Sequence, residues 1–305
     1  MLSQLLKSRI LMLLSCLLLV SAVPFFFVNI PASYATPLFS ALWDCGHIVF
    51  FSGLVFALHT YVDFSKPRAG VVLSIAVFVV GGLIEVAQAY TGRDGEWQDL
   101  LRDMAGTWLG LFWLQKSSYK IWFGRVIAII LLFPTVLPVY KAAKAQHFAT
   151  QQFPVIANFE DDIDLHGIGG KVERSNVFRS SGQYSLKAHL TTKQYSNVSF
   201  NNFFNSWQGY GYLLFDLYNP DTQPLDLVIR IDDVQHQLGD NAYSDRFNQK
   251  LHLEPGWNAI KIPIDEIQHA PAKRLLQLDE IKSIVIFAMK LPEEHDIYLD
   301  NLRLQ

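Results

Sequence analysis

Long apolar stretches dominate the first half of the chain. Residues 10–43 contain no charged side chain, and about 20 such residues are enough to cross a bilayer as a helix. Further apolar segments follow at short intervals. The sequence therefore predicts an all-α transmembrane bundle of about five spans, the first beginning at residue 10 and the others at residues 47–62, 69–90, 99–115 and 121–140.

The first segment has a second interpretation. Ser33-Tyr34-Ala35 matches the small–x–small pattern of a signal-peptide cleavage site, so this segment is either a retained span or a removed signal. The apolar run is long for a signal peptide, which favours a retained span. Both interpretations place the residues that follow outside the cytoplasm.

Basic residues predict the orientation of the bundle. Cytoplasmic loops of membrane proteins are enriched in lysine and arginine, and here these residues precede the first span and lie between spans two and three and spans four and five. Lys141 and Lys144 argue against this orientation, because they are basic and lie beyond the last span, on the side predicted to be outside. The pattern predicts a multi-pass protein of the bacterial cytoplasmic (inner) membrane with a cytoplasmic N-terminus and an extracytoplasmic C-terminal domain. The basic residues are Lys7, Arg9, Lys66, Arg68, Lys116, Lys120 and Arg125.

From residue 155 onward, apolar and polar positions alternate with the period of a β-strand. Turn residues such as Gly169-Gly170, Asn219-Pro220 and Pro255-Gly256 separate the short segments. This pattern predicts an all-β sandwich. We divide the chain into a transmembrane domain (1–145), a linker (146–154) and the sandwich (155–305). Strands are expected at 155–160, 171–178, 183–190, 198–204, 211–218, 225–232, 247–253, 258–262, 283–289 and 297–304, with one helical turn at 265–269.

Composition supports this division. Half of the 305 residues are hydrophobic and 17% are charged. Residues 1–150 carry 11 basic and 7 acidic side chains, a net of +4, whereas residues 151–305 carry 14 and 21, a net of −7. No region is basic enough to predict nucleic-acid binding. Cys16 and Cys45 both precede the sandwich, which therefore has neither a disulfide framework nor a thiolate metal site.

Polar residues interrupt the apolar segments near their outer ends. Asp44 and His47 are three residues apart, as are Glu85 and Gln88, and the series Asp99, Asp103, Gly106, Gly110 follows one helix face. Ionisable groups inside a membrane are costly and are usually functional. The set predicts a polar site at the outer leaflet, although helix capping and contacts between helices explain any single member equally well. The candidate residues are Asp44, His47, Glu85, Gln88, Arg93, Asp99 and Asp103, with Arg102 as a further anion-binding side chain.

These residues resemble the VanZ-like membrane protein family over about residues 10–115. The matching motifs are Asp44-x-x-His47, Ile84-Glu85-x-x-Gln88, a loop Arg93, and Asp99 followed by Gly106 and Gly110. Cys45 and Asp103 depart from the family, which usually has Lys and Asn there. The family is linked to glycopeptide-antibiotic resistance, so the resemblance implies a role in the cell envelope without implying a reaction.

The second half resembles jelly-roll carbohydrate-binding modules and galactose-binding-like domains over about residues 155–305. The resemblance rests on SGQYSLKAHL, GYLLFDLYNP, EPGWNAIKIPI and IYLDNLRL. If the three central strands are neighbours, alternation directs a polar and aromatic set to the outer face, where it is either a glycan site or an ordinary solvated surface. That set is Tyr212, Asp216, Arg230, Asp232, Lys250 and His252.

Two further expectations concern the sandwich. Similar modules often hold a structural calcium ion near the first and last strands, and Glu160, Asp161 and Asp300 could supply oxygen ligands for it. Trp207 and Trp257 lie beside turn glycines, and we interpret both as structural rather than as sugar platforms.

The sequence leaves three functions open. The first is a membrane-anchored protein, with membrane lipids around its helices, whose sandwich binds an envelope glycan or a partner protein. The second is a membrane enzyme or lipid-modifying factor that uses the polar site on a lipid-linked precursor. The third is a proton-coupled transporter, which the lack of a visible internal repeat disfavours. The sequence contains no nucleotide-binding loop, zinc motif or nucleophile motif that identifies an enzyme.

Overall fold

The structure is a computed structural model that describes residues 36–90, 96–201 and 203–305, with a few isolated positions before residue 36. The chain divides into two compact units. One contains residues 38–141, and the other contains residues 142–305. Residues 146–152, which we expected to belong to a linker, are helical.

The described residues of the first unit contain four long helices, and the last of them continues into the second unit. They are α1 (Pro37–Leu58), α2 (Pro67–Tyr90), α3 (Trp97–Leu114) and α4 (Tyr119–Gln152). Among the described residues, α1, α2 and α4 are long and apolar enough to cross a membrane. The expectation of five spans is therefore corrected to about three. The first predicted span lies largely outside the described residues, and α3, predicted as the fourth, carries Asp99, Arg102 and Asp103 within 18 residues.

The outward faces of these helices are apolar. Val49 on α1 is 70% exposed, and Phe78 on α2 and Phe123 on α4 are also exposed. Large apolar side chains exposed over three helices suit a hydrocarbon environment, where burial against protein brings no hydrophobic gain. The helical region therefore has the surface of a membrane segment.

Small residues bring α1 and α3 into close contact. A Cβ added at Gly106 would lie 2.6 Å from the carbonyl oxygen of Ile48, and one at Gly110 would lie 2.8 Å from Cβ of Val55. The hydroxyl of Ser52 donates to the carbonyls of both Ile48 and Gly106. The prediction that the glycine stripe of α3 receives another helix is confirmed.

Arg125 of α4 closes the C-terminal end of α3. Its guanidinium donates to the carbonyl oxygens of Phe112 and Gln115, each at 3.0 Å. The last carbonyls of a helix have no partner within the helix, so a cation there satisfies them and complements the helix dipole.

The second unit is an antiparallel β-sandwich. One sheet, sheet A, has the order β3-β4-β11-β6-β9, with β1 paired to β11, and the other, sheet B, has the order β2-β5-β10-β7-β8. The strands are β1 (Val155–Ala157), β2 (Ile168–Gly169), β3 (Val172–Ser175), β4 (Ser185–Leu190), β5 (Tyr195–Phe200), β6 (Tyr212–Asn219), β7 (Leu225–Asp233), β8 (Phe247–Leu253), β9 (Gly256–Pro263), β10 (Ile281–Met289) and β11 (His295–Leu304).

Alternation places one face of each sheet in the core. Leu213, Phe215 and Leu217 of β6 are buried, as are Leu227, Ile229 and Ile231 of β7. Trp207 is fully buried among them, which confirms its structural interpretation. The predicted helical turn is α6 (Ile264–Gln268), whereas the short α5 (Val234–Leu238) and the two-residue β2 were not predicted.

Candidate functional sites

A buried polar cluster lies among α1, α2 and α3 in the helical region. Nδ1 of His47 lies 2.8 Å from Oδ1 of Asp103, and Nε2 lies 3.3 Å from Oδ2 of Asp99. All three side chains are buried. Because Asp99 and Asp103 are one helical turn apart on α3, their carboxylates reach opposite edges of the same imidazole ring.

Arg102 joins the cluster to Asp44. One terminal nitrogen of its guanidinium lies 3.0 Å from Oδ2 of Asp44, and the other contacts Oδ1 of Asp99. Glu96 is a more distant partner at 3.8 Å. Arg102 therefore neutralises acidic groups from two helices, and its guanidinium is engaged by protein carboxylates.

Glu85 lies at the edge of the same region. Its Oε2 accepts a hydrogen bond from the backbone N–H of Glu96 at 2.7 Å, while its Oε1 is buried without a partner among the described residues. Gln88 is fully buried on the same helix. Arg93, a member of the predicted site, lies outside the described residues.

The prediction that the six candidate glycan-binding residues share one surface of the sandwich is wrong. Tyr212 and Asp216 belong to β6 in sheet A, whereas the other four residues belong to β7 and β8 in sheet B. The prediction is conditional on β6 and β7 being neighbours, and this condition is not met, because the turn between them crosses from one sheet to the other. The predicted set therefore splits into Tyr212 and Asp216 on one side and Arg230, Asp232, Lys250 and His252 on the other.

Sheet B keeps a continuous outward face. One row crosses four strands through Asn197, Phe287, Val228 and Lys250, and the next crosses through Ser199, Val285, Arg230 and Asn248. Tyr195 is 58% exposed at one edge, and its ring centroid is 6.2 Å from that of Phe287. This face combines aromatic rings with hydrogen-bonding side chains.

Arg230 and Asp232 form one end of this face. Nε of Arg230 donates to Oδ2 of the fully buried Asp232 at 2.7 Å. His252 lies at the other end and is exposed beside Asp226, with 2.6 Å between its Nδ1 and Oδ1 of the aspartate. This hydrogen bond to the Asp226 carboxylate raises the pKa of His252.

Aromatic rings also cross the outward face of sheet A. Tyr298, Tyr218 and Trp257 share one row, and Phe178 stacks on Tyr218 with ring centroids 4.1 Å apart. Trp257 is 39% exposed, and its ring centroid lies 5.1 Å from that of Tyr218, so its structural role stays a prediction. Because Phe178 covers the central rings, this row mainly anchors the loop that carries it.

The three side chains predicted to bind calcium accept hydrogen bonds from backbone N–H groups. Oε1 of Glu160 accepts from the N–H groups of Gln183 and Tyr184, and Oδ2 of Asp300 accepts from those of Ser180 and Ser181. Asp161 caps the short 3-10 helix Asp162–Leu165. Over the described part of the chain, no group of three His, Cys, Asp or Glu side chains could hold a metal ion. The calcium site is not supported.

Comparison with known proteins gives remote structural similarities only. No protein-family model matches the chain, and no curated protein matches it. The agarase AgWH50C aligns at 16% identity with a TM-score of 0.38, covering 50% of this chain and 26% of the agarase. A Clostridium thermocellum family 11 carbohydrate-binding module in complex with a mixed-linked tetrasaccharide aligns at 14% and 0.32, covering 45% and 85%.

A family 28 module specific for non-crystalline cellulose aligns at 13% identity and a TM-score of 0.35, covering 50% of this chain and 93% of the module. The chain spans about a quarter of the length of the agarase AgWH50C. These similarities are too remote to carry an argument about function, which is drawn below from this chain's own residues.

Sequence reasoning missed Tyr195 and Phe287. Tyr195 lies three residues before the start that we expected for β5, so it was not assigned to a face. Phe287 lies in an almost uninterrupted apolar strand, in which alternation cannot separate the two faces. Only the register of β10 against β5 and β7 identifies Phe287 as outward.

Proposed function

We propose that this protein is a membrane-anchored glycan-binding protein whose sandwich binds a saccharide chain across the outward face of sheet B. The observation that carries the proposal is the cross-strand row of Asn197, Phe287, Val228 and Lys250, with Tyr195 beside it. The exposed apolar faces of α1, α2 and α4 supply the membrane anchor.

The chemistry of a saccharide fits this face. A pyranose ring has an apolar C–H face that packs on an aromatic ring, and its hydroxyls pair with amide and charged side chains. Phe287 and Tyr195 offer the rings, while Asn197 and Lys250 are exposed at either side. Strands are about 4.8 Å apart, so a face of four strands is about 14 Å across and accommodates more than one sugar ring.

The sandwich is proposed to be extracytoplasmic. Lys66 and Arg68 precede or begin α2, and Lys120 lies at the start of α4. Basic residues at the start of α4 favour a cytoplasmic location for that end, which directs the C-terminal end of α4 outward. A cytoplasmic start of α2 as well requires α3 to return the chain across the membrane between them. An alkaline phosphatase fusion at Gln305 is expected to be active, and an inactive fusion with a correctly expressed protein contradicts this orientation.

The glycan proposal is tested with the full-length chain in lipid nanodiscs. Binding to a panel of neutral and acidic polysaccharides is measured first, and Phe287→Ala and Tyr195→Ala are then compared with wild type. Each variant is expected to weaken binding about tenfold, because each removes a stacking surface.

Tyr212→Ala is the matched control, since Tyr212 is an exposed aromatic residue on the other sheet. It is expected to leave binding unchanged. The proposal fails if no polysaccharide binds, or if Tyr212→Ala weakens binding while Phe287→Ala does not.

A second candidate function concerns the buried cluster of the helical region. The imidazole of His47 lies between two carboxylates, and buried ionisable groups in membrane segments commonly mark a functional site. We propose that this cluster binds the polar headgroup of a lipid or lipid-linked precursor, in line with the VanZ-like pattern of its residues.

Lipid retention tests the second candidate. The purified chain is analysed by native mass spectrometry, and His47→Gln and Asp103→Asn are compared with Asp63→Asn, whose carboxylate is exposed away from the cluster. Loss of a retained lipid in the first two variants at unchanged thermal stability supports a binding site. If the lipid stays bound while stability falls, the cluster only joins the helices.

A further inference from the structure

One end of the sheet B face carries an excess of positive charge. Arg230 and Asp232 are two residues apart on β7, and Arg246, which immediately precedes β8, aligns beside Asp232 because Phe247 pairs with Ile231. Lys282 lies at the bulge of β10 next to Ser283, the cross-strand partner of Asp232. Three cations thus surround one carboxylate.

The carboxylate positions these cations without neutralising all of them. Asp232 is fully buried, and its Oδ2 accepts from Nε of Arg230 at 2.7 Å. Nε of Arg246 donates to Oδ1 of Asn248 at 3.2 Å. Within the described residues, the terminal nitrogens of Arg230 and Arg246 have no hydrogen-bond partner, and Oδ1 of Asp232 has none either. Both arginines therefore keep terminal N–H donors that are not used by described residues, and both side chains are only partly buried.

Partial burial makes these cations good anion ligands. Burial lowers the pKa of Lys282, with Asp232 opposing the shift. Burial and the neighbouring Arg230 both lower the pKa of Arg246. A cation that has lost hydration and faces another cation gains more from an anionic partner than one in bulk water.

An aromatic ring completes the site. Tyr243 is 71% exposed, and the guanidinium carbon of Arg246 lies 5.4 Å from its ring centroid. A ring beside Arg246 can pack against the apolar face of a sugar whose acidic group reaches the cations.

We propose that Arg230, Arg246 and Lys282 form a subsite for the anionic group of an acidic sugar, either a uronate carboxylate or a sulfate ester. This inference rests on the proposed glycan-binding function and names its substrate class. Residues 151–305 carry a net charge of −7 from 14 basic and 21 acidic side chains. Attraction of a polyanion by the domain as a whole is therefore excluded, and recognition has to be local.

The experiment uses pairs of saccharides that differ only in charge. Full-length protein in neutral lipid nanodiscs is titrated at physiological ionic strength with oligogalacturonate and its methyl ester. It is also titrated with a sulfated galactan oligosaccharide and its desulfated form. The charged member of at least one pair is expected to bind about tenfold more tightly, and which pair responds distinguishes carboxylate from sulfate.

Variants then locate the site. Arg246→Gln and Lys282→Gln are each expected to weaken binding of the charged saccharide about tenfold while leaving the neutral one unchanged. Lys261→Gln, which removes a cation from the outward face of sheet A, is the control and is expected to change nothing. Unchanged thermal unfolding of each variant shows that the fold is intact.

The outcomes separate the two proposals. Equal binding of charged and neutral members, or binding of the charged member that survives both substitutions, overturns the acidic-sugar inference and leaves glycan binding in place. Binding to none of the saccharides in the charge-matched pairs or the wider polysaccharide panel overturns both.

Discussion

The two regions of this protein distribute charge in opposite ways. In the helical region, His47, Asp99, Arg102 and Asp103 are buried while Val49, Phe78 and Phe123 are exposed. In the sandwich, the interior is almost entirely Leu, Ile, Val and Phe, and most charges face outward. The difference reflects the surrounding medium, because lipid accepts apolar side chains and rejects unpaired charges, whereas water does the reverse.

Both regions contain an arginine that forms ion pairs with a buried carboxylate. Arg102 binds carboxylates from two helices, and Arg274 in the sandwich binds both Asp233 and Asp245. The buried carboxylates of Asp99 and Asp233 are thus each paired with an arginine. This follows from the cost of removing an ion from water, which only a partner and hydrogen bonds can offset.

The largest expected effect is the loss of Arg102 in the helical region. Arg102→Met leaves Asp99 and Asp44 without their cation beside a nonpolar medium, and we expect destabilisation of about 3–5 kcal/mol. Thermal unfolding in detergent measures it, with Lys66→Met as a control because Lys66 is an exposed cation. Equal stability of Arg102→Met and wild type would show that the cluster does not hold the helices together.

Arg274→Met in the sandwich is expected to lower the free energy of unfolding by about 3 kcal/mol, somewhat less than Arg102→Met lowers it. The effect is smaller because Asp233 is fully buried but Asp245 is partly exposed. Chemical denaturation followed by tryptophan fluorescence measures the change. Lys193→Met, at an exposed position of the same unit, provides the comparison and is expected to behave as wild type.

The contribution of Arg274 to the stability of the sandwich depends on pH. Burial raises the pKa of Asp233, but hydrogen bonds from Arg274 and from the N–H groups of Gln277 and His236 outweigh it and leave the pKa lowered. The hydrogen bond from Arg274 lowers the pKa of Asp245. Because both folded-state pKa values are depressed, the stabilisation is complete above the unfolded value of about 3.9 and is lost as pH falls through the folded values. The difference between wild type and Arg274→Met should shrink below about pH 4, and a difference that grows there contradicts this account.

The smallest expected effect concerns the packing of α1 against α3. Gly106→Ala places a methyl group against the Ile48 backbone, and we expect destabilisation of about 1–3 kcal/mol. Gly82→Ala on α2 is the matched control, because an added Cβ there meets nothing within 4 Å. Thermal unfolding in detergent is again the measurement. Gly82→Ala is expected to be neutral or slightly stabilising, because Ala favours a helix more than Gly does, and the same result for Gly106→Ala would show that the contact with α1 does not exclude a methyl group.

Prediction from sequence worked where one strand or helix carries the whole signal. Alternation located β6, β7 and β8 nearly to the residue, and helical spacing placed Asp99, Asp103, Gly106 and Gly110 on one face of α3. The same reasoning failed for the glycan face, since periodicity says which side of a strand a residue occupies but not which sheet the strand joins.

The sequence alone determined that the chain has an apolar helical half and an alternating β half, because hydrophobic period is a local property of each segment. It also identified His47, Asp99 and Asp103 as residues out of place in an apolar helix. Only the tertiary structure decided that His47 lies between those two carboxylates, that Arg102 rather than solvent neutralises Asp99, and that Arg230, Arg246 and Lys282 meet around Asp232. Those contacts join segments distant in the chain, and they depend on register and strand order, which no local pattern encodes.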